Sequence, residues 1–536
     1  MFQTVLLSPR GSDSNTYSTP AATQSDVPPP PPVPPPLRAV PPPPPPPPRP
    51  AARSWTVATA LAITASLGGV YFYKKMDQLK EEEATSGAAA PESPAEPAPG
   101  PRPEPALASS LPAAVDFLLV GGGTASFAAL RALRAALPAA SILLVGDEPA
   151  PPYMRPPLSK EVWREEALGA ADAASLSFRQ WSGRRRPLVY EPAAFYAAPA
   201  AAARAWAVAV SVVCVRRCLL APGAEPRRVA ALALAARAGR SLVLRDAGHA
   251  AGLARALDQR AGRATVLVVG AGLLGCELAA SLAAAGRARV VLLARGPAPL
   301  ARSLPRYLAD DAAGTLAALG VQLITNGRSV DAAGQVSVRL ADGAEVRGDL
   351  VLECVGAAPR TELARRAGLE LDADTGGIVV DAELRARSGL FVAGDAASFY
   401  DAGGGARRGA QHHDHAVRSG RRAGENMAAA AGGGGAAVYH YRPMYWSDLG
   451  PELGYEVSRA RSHARSETIV TPRSHRIVNN AAGAGARRYE RGVVFYLRGR
   501  RVVGVLLWNL FNRVQLATQF DDLVEVAKLF TLQEDH

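Results

Sequence analysis

Cysteine is scarce in this chain. Four cysteines in 536 residues cannot staple a body of this size, which excludes a disulfide-built secreted scaffold. Cys214 and Cys218 stand four apart rather than in a Cys-x-x-Cys spacing, so disulfide-reductase chemistry lacks its dithiol, and all four are read as reduced thiols. Lysine is almost as rare: five stand against 55 arginines, and beyond residue 80 only Lys160 and Lys528 remain. No nucleic-acid-binding motif accompanies the net charge of +12. That charge reads first as a solvated arginine surface, with nucleotides, acidic lipid or nucleic acid as the partners it would attract.

Organisation follows from where composition changes. Residues 1–54 hold only two acids, Asp13 and Asp26, and proline runs at 28–32, 34–36 and 41–48. Such a stretch favours solvated polyproline II over a core, and its serine and threonine fit a targeting region. Residues 55–73 carry no charge, open on Trp55 and close on Tyr71 and Tyr73, with Lys74 and Lys75 beyond. Roughly 20 apolar residues cross a bilayer, so a single membrane anchor is expected here, although Thr56, Thr59, Thr64, Ser66 and Gly68 dilute it. A charged, then Pro/Ala-rich linker fills 74–112, and globular sequence begins after it.

Two loops carry the chemistry. The apolar run Val115–Val120 leads into Gly121-Gly122-Gly123-Thr124-Ala125-Ser126, then a helical stretch with Leu130, Leu133 and Leu137, then the strand Ile142–Val145 and Asp147. This is a βαβ dinucleotide unit. Gly121 allows the tight turn, Gly123 lets a pyrophosphate approach backbone at a helix N-terminus, and Asp147 is placed to accept from ribose hydroxyls. Ser126 takes the place of the third glycine. The pattern recurs at Thr265–Val269, the loop Gly270-Ala271-Gly272-Leu273-Leu274-Gly275, the helix from Cys276 and the strand Arg289–Leu293. Two such units in one chain point to two dinucleotides, one resident and one passing. A third strand, Gly389–Ala393, runs into Gly394-Asp395, a turn that can aim a carboxylate at a ribityl chain, and a helix follows His412. His412, His413 and His415 do not form a metal set, because adjacent residues on a helix point apart. Lys160 stands in a rigid Arg-Pro-Pro-Leu-Ser-Lys turn, where a compact ammonium offers what arginine cannot.

The strings around these features resemble the apoptosis-inducing-factor family of pyridine-nucleotide–disulfide reductase-like flavoproteins. They are Pro152–Trp163, Gly272–Ala279, Leu390–Asp401, His412–Val417, Tyr445–Glu456 and the pair Gly492–Gly499 and Val502–Arg513, and the resemblance covers about 113–536 with breaks. It implies an α/β fold of two Rossmann-like, glutathione-reductase-like domains plus a C-terminal α+β domain behind the anchor. The expected FAD-binding domain is discontinuous, at 113–224 and 358–443. An NAD(P)-binding domain at 225–357 and a dimerisation or partner domain at 444–536 complete the body. By matching positions, Gly121, Gly122, Gly123, Thr124, Ala125, Asp147, Glu148, Arg155, Lys160, Arg245 and Asp395 look like the FAD set. Lys160 and Glu277 look like the catalytic lysine–glutamate pair beside the flavin. Trp181, Gly270, Gly272, Leu273, Leu274, Gly356, His412, Trp446 and Glu456 look like residues near the nicotinamide cofactor, and Arg302 and Gln411 are expected among the cofactor-binding residues. The family resemblance further implies FAD and NAD(P)H, slow NADH oxidation and a reduced flavin–NAD charge-transfer dimer. It also implies partnership with a disulfide-relay import oxidoreductase, residence at the mitochondrial inner membrane facing the intermembrane space, and release to the nucleus with DNA binding in cell death.

The chain departs from that pattern in five places. It is shorter than the family between Phe195 and Cys218, in an alanine-rich interval without hairpin signals. The family's Ala-Thr-Gly turn reads Ala221-Pro222-Gly223. Ala294-Arg295-Gly296 stands where an acid is expected after the second NAD-domain strand, which predicts NADPH use. Gln411 replaces an acid, and the insertion between Glu456 and Arg491 is short. Two function classes are carried forward: an FAD-dependent NAD(P)H oxidoreductase, and a redox-gated binding or scaffold protein with incidental turnover.

Overall fold

The computed structural model describes residues 112–164, 176–180, 183–197, 202–205, 213–325, 329–333, 335–339, 343, 345–401, 405–450, 453–459, 467–470, 489, 491–498 and 501–510. The targeting region, the anchor at 55–73, all but the last residue of the linker and Trp181 lie outside the described residues. Among the described residues no helix is long and apolar enough to cross a membrane.

Short apolar runs that end in glycine become buried parallel strands, because a strand covered on both faces needs no polar alternation. Ala114–Val120 is flanked in parallel by Ile142–Val145, with Phe117 opposite Ile142, and by Cys214–Leu220, with Leu119 opposite Leu219. Leu390–Val392 joins beyond Cys214–Leu220, and Arg385–Arg387 adds an antiparallel edge. The other edge is Ala202–Ala205, parallel to Ile142–Val145. The alanine-rich interval thus supplies one edge strand and no described hairpin. Alanine has little strand preference of its own, so the neighbouring strand sets the register.

The helix Thr124–Ala136 covers this sheet with Phe127, Leu130 and Leu133. It meets the helix His413–Ala431 at backbone distance. A methyl group added at Gly420 would lie 2.1 Å from the Ala125 carbonyl oxygen, and one at Gly424 would lie 2.7 Å from that of Ala129. This contact ties the late segment of the chain to the first glycine loop.

A second parallel sheet has the order Gln322–Ile324, Arg289–Leu293, Thr265–Val269, Leu350–Glu353 and Ser241–Leu242. Its helix Leu273–Ala284 is buried along most of its length, from Gly275 to Leu282. An antiparallel layer of Ser329–Ala333, Gln335–Arg339 and Glu345–Gly348 is inserted before Leu350–Glu353. A smaller three-stranded sheet combines Ile378–Val379, Ala397–Asp401 and Ala406–Arg408. The last sheet is antiparallel, in the order Met444–Leu449, Leu453–Arg459, Arg501–Trp508, Gly492–Arg498 and Glu467–Val470. Its hairpin is the one expected from the sequence, extended by a residue in each strand.

Candidate functional site

Both glycine loops open on one cleft of about 1350 Å³. That exceeds the roughly 300–1,000 Å³ of a pocket for one drug-sized ligand. At the first loop Gly121 has φ +115°, and a methyl group there would lie 2.1 Å from the Ala221 carbonyl oxygen. Only glycine takes that turn without strain. Two residues on, Gly123 caps the helix Thr124–Ala136, and nothing lies within 4 Å of where its side chain would begin. The helix N-terminus is thus open to an anion. At the second loop Gly270 has φ +108°, and a methyl group there would lie 2.4 Å from the Cys354 carbonyl oxygen. Gly272 is the open cap of Leu273–Ala284.

Distant parts of the chain hold the charged groups in place. Arg155, from the turn before Pro156–Ser159, pairs with Glu148 and donates 3.1 Å to the Arg245 carbonyl oxygen. Arg245 reaches Asp395 Oδ2 at 2.7 Å, and Asp395 lies in the turn that ends Leu390–Val392. Gly394 in that turn has φ +71° and donates its N–H to Ser419 Oγ at 2.9 Å. Asp147 pairs with Arg360 at 2.6 Å on the exposed rim.

The centre of the cleft is the buried pair Lys160 and Glu277, with Nζ and Oε2 2.7 Å apart. Ser159 Oγ donates to the same oxygen at 2.5 Å, and Ser447 Oγ donates to Oε1 at 2.7 Å. Lys160 also donates to the Pro156 carbonyl oxygen at 3.2 Å. Burial works against the Lys160 ammonium, but the charge and hydrogen bond of Glu277 outweigh it and hold the lysine above its ordinary value. Lys160 is therefore a fixed cation at neutral pH. Burial pushes nearby Asp448 up to about 6, opposed by Lys160 and reinforced by Glu277, Glu161 and Glu456. Burial also lowers His412 to about 3, with His413 and Lys160 adding to the effect. His412 is thus a neutral ring, packed edge-on against Trp446 at 4.5 Å.

Every described residue expected at the site lines this cleft except Glu456, which sits opposite Trp446 on the neighbouring strand. Sequence reasoning missed Ser159, Ser447, Asp448, Arg360 and Glu353. Ser159, Ser447 and Asp448 lie inside strings already singled out. Arg360 and Glu353 carry no local signal, and only the folded chain brings them to the cleft.

Comparison with known proteins places this arrangement. Residues 115–420 match the family described as pyridine nucleotide-disulphide oxidoreductase. The chain belongs to that family. Residues 456–521 match the C-terminal domain described as apoptosis-inducing factor, mitochondrion-associated. A mitochondrial apoptosis-inducing factor 1 homologue of Drosophila melanogaster is 33% identical over 80% of this chain and 67% of its own length. The apoptosis-inducing factor 1 of Dictyostelium discoideum is 27% identical over 90% and 93%. The ferredoxin–NAD(+) reductase component of a biphenyl dioxygenase system from Paraburkholderia xenovorans is 33% identical over 54% and 69%. Among solved structures, a covalent putidaredoxin reductase–putidaredoxin complex aligns with TM-score 0.60 and 22% identity over 79% of this chain and 99% of that one. That last likeness is of fold.

Membership makes the chain an oxidoreductase working with FAD and NAD(P)H, and the residues fit both. The open cap at Gly123 suits a pyrophosphate, and the Arg245–Asp395 and Arg155–Glu148 pairs line the same half of the cleft. The family's dithiol has no counterpart. Cys214, Cys218, Cys276 and Cys354 are all free, and burial pushes the thiols of Cys218 and Cys354 up to about 12. Thiols so protonated are poor nucleophiles.

Proposed function

We propose that the chain is a mitochondrial FAD-dependent NAD(P)H oxidoreductase that keeps its reduced flavin in a long-lived complex with the oxidised nicotinamide. FAD belongs to the first loop, with Asp147, Arg155, Lys160, Arg245 and Asp395, in a domain formed by 113–224 and 358–443. The nicotinamide nucleotide belongs to the second loop in 225–357, with Gly356, His412 and Trp446 at the junction. The residues at 444–536 serve dimerisation and partner docking. The anchor at 55–73 tethers the body to the inner membrane on its intermembrane-space side. Support for respiratory-chain biogenesis through a disulfide-relay import oxidoreductase, and nuclear entry with DNA binding after proteolytic release, complete the reading by likeness to the two apoptosis-inducing factors.

One observation carries the enzymatic part: the buried Lys160–Glu277 pair lies in the cleft onto which both glycine loops open. When bound, FAD supplies a two-electron carrier that the side chains lack. Lys160, kept protonated by Glu277, would offer that carrier a preorganised positive charge. Arg245 fixes the Asp395 carboxylate, and the neutral His412 offers no competing charge.

The decisive experiment is the visible spectrum of the purified full chain, titrated with NADH and NADPH without air. Flavin bands that bleach, with a persistent long-wavelength band and dimer formation, are expected. A protein without a flavin spectrum overturns the proposal. The redox-gated binding reading is favoured by the four free thiols, of which Cys276 and Cys354 are buried, since the cleft has no dithiol to receive electrons. Little turnover with any soluble acceptor would select that reading, and rapid steady-state oxidation would select the enzyme.

A further inference from the structure

In a βαβ dinucleotide fold, the residue just past the second strand chooses between the two nicotinamide nucleotides. A carboxylate there bonds the adenosine ribose hydroxyls, whereas an arginine accommodates a 2′-phosphate. In the second glycine-loop unit that strand is Arg289–Leu293, and the chain leaves it as Ala294-Arg295-Gly296. Ala294 donates its N–H to the Ile324 carbonyl oxygen at 2.8 Å, which pins the exit to the neighbouring strand. Arg295 follows, exposed and lining the cleft. Next to it, a side chain begun at Gly296 would meet nothing within 4 Å, so the space beside the arginine is open.

Charge compensation sharpens the point. Each carboxylate lining the cleft already has a side-chain partner: five face an arginine or lysine, from Asp147 with Arg360 to Glu353 with Arg228, and Asp246 pairs with the ring of His249. Glu353 cannot stand in for the missing acid. It takes bonds from Arg228, Ser241 and the Val229 N–H, and it lies on the far side of Thr265–Val269 from Arg289–Leu293. Among the described residues lining the cleft, Arg295 and Arg302 are the cations left without an ion-pair partner. Both follow the second strand of the unit.

We infer that Arg295, with Arg302 as a second cation, seats the 2′-phosphate of an adenosine dinucleotide, so that the chain takes NADPH in preference to NADH. A guanidinium matches a phosphate with two parallel hydrogen bonds, which a ribose hydroxyl cannot reproduce. This inference rests on the proposal that the second loop holds the nicotinamide nucleotide.

The test is calorimetric titration of the full-chain protein with 2′,5′-ADP and, separately, with 5′-AMP. The first should bind at least about tenfold more tightly, equivalent to about 1.4 kcal/mol. The advantage should shrink as salt rises, because Arg295 is exposed. Arg295→Ala should erase the difference while leaving 5′-AMP binding in place, and Gly296→Glu should reverse it. Equal affinities in the parent protein, no binding of 2′,5′-ADP, or a preference that survives Arg295→Ala would each overturn the inference. A protein that bleaches with neither dinucleotide sinks the proposed oxidoreductase instead. The adenosine-phosphate preference and its dependence on Arg295 remain readable in that case, so the two failures are distinct.

Discussion

At the first glycine loop, Gly121 bends beneath the Ala221 carbonyl and the third small position is Ser126; at the second, Gly270 bends beneath Cys354 and the third is Gly275. The third position explains why one loop tolerates a side chain and the other does not. A methyl group at Gly275 would lie 1.9 Å from the Gly270 carbonyl oxygen and 3.2 Å from the Cys354 side chain. Ser126 is fully buried in the first helix and has no hydrogen-bond partner for its hydroxyl. The surroundings differ further in charge. Around the first loop Asp147, Glu148 and Asp395 are each paired with an arginine, whereas beyond the second Arg295 and Arg302 wait unpaired. A compensated, rigid half suits a resident cofactor, and a half with spare positive charge suits a phosphate-bearing substrate that comes and goes.

The largest effects should come from breaking the loops separately. Gly121→Ala forces a positive φ on a residue with Cβ and drives it into Ala221, so the protein should purify with flavin reduced more than about tenfold. Gly270→Ala or Gly275→Ala should leave the flavin spectrum in place and raise the NAD(P)H concentration needed to bleach it by a similar factor. Absorbance ratios and anaerobic titration measure both. Loss of flavin from the Gly275 variant would show that the loops are not independent.

Next in size is the pair between the two halves. Glu277→Ala strands the buried Lys160, a change of about 3–5 kcal/mol by the usual cost of an orphaned buried charge. Thermal unfolding should fall by several degrees. In the parent protein the lysine is held above its ordinary value, so its contribution to stability is complete below about pH 10.5 and is lost as pH rises through the higher folded value. Without Glu277, burial would be opposed only by the smaller effects of Asp448 and Glu161, and the lysine should fall. Flavin reduction should then become sensitive to pH at moderately alkaline values where the parent is flat.

Asp448 gives the opposite sign. Its carboxyl is raised to about 6, so the folded state holds a proton that the unfolded chain releases near 4. Stability from this group falls as pH rises from about 4 to about 6 and stays low above that range. Asp448→Asn removes the penalty and should stabilise the protein at neutral pH by about 1–3 kcal/mol, with no gain near pH 4. Unfolding in denaturant at the two pH values checks this, and equal gains at both would show that repacking, not charge, is responsible.

How much of this was legible in the chain depends on distance along it. The glycine loops, their strands and the C-terminal hairpin are local patterns in which glycine and apolar runs act on their own neighbours. Lys160 stood out because lysine is rare here, yet its bond to Glu277 spans 117 residues and that of Glu277 to Ser447 another 170, and neither leaves a local trace. Arg245 and Asp395 were both visible as candidates, but their pairing across 150 residues was not. The edge strand Ala202–Ala205 was invisible because its register comes from Ile142–Val145 rather than from its own residues.

The smallest effect returns to the third loop position. Ser126 buries a hydroxyl with no partner, so Ser126→Ala removes an unsatisfied group while filling nearly the same space. Alanine is also the better helix former at this place near the start of Thr124–Ala136. The variant should gain up to about 1 kcal/mol and keep its flavin. Gly275→Ala, the same side chain at the same step of the other loop, should lose its nucleotide. Opposite outcomes from one methyl group would show that it is the close packing of Gly275 on Gly270 and Cys354, rather than the motif as a string, that demands glycine. If Ser126→Ala instead lost flavin, the hydroxyl would have a partner that appears only when the cofactor is bound.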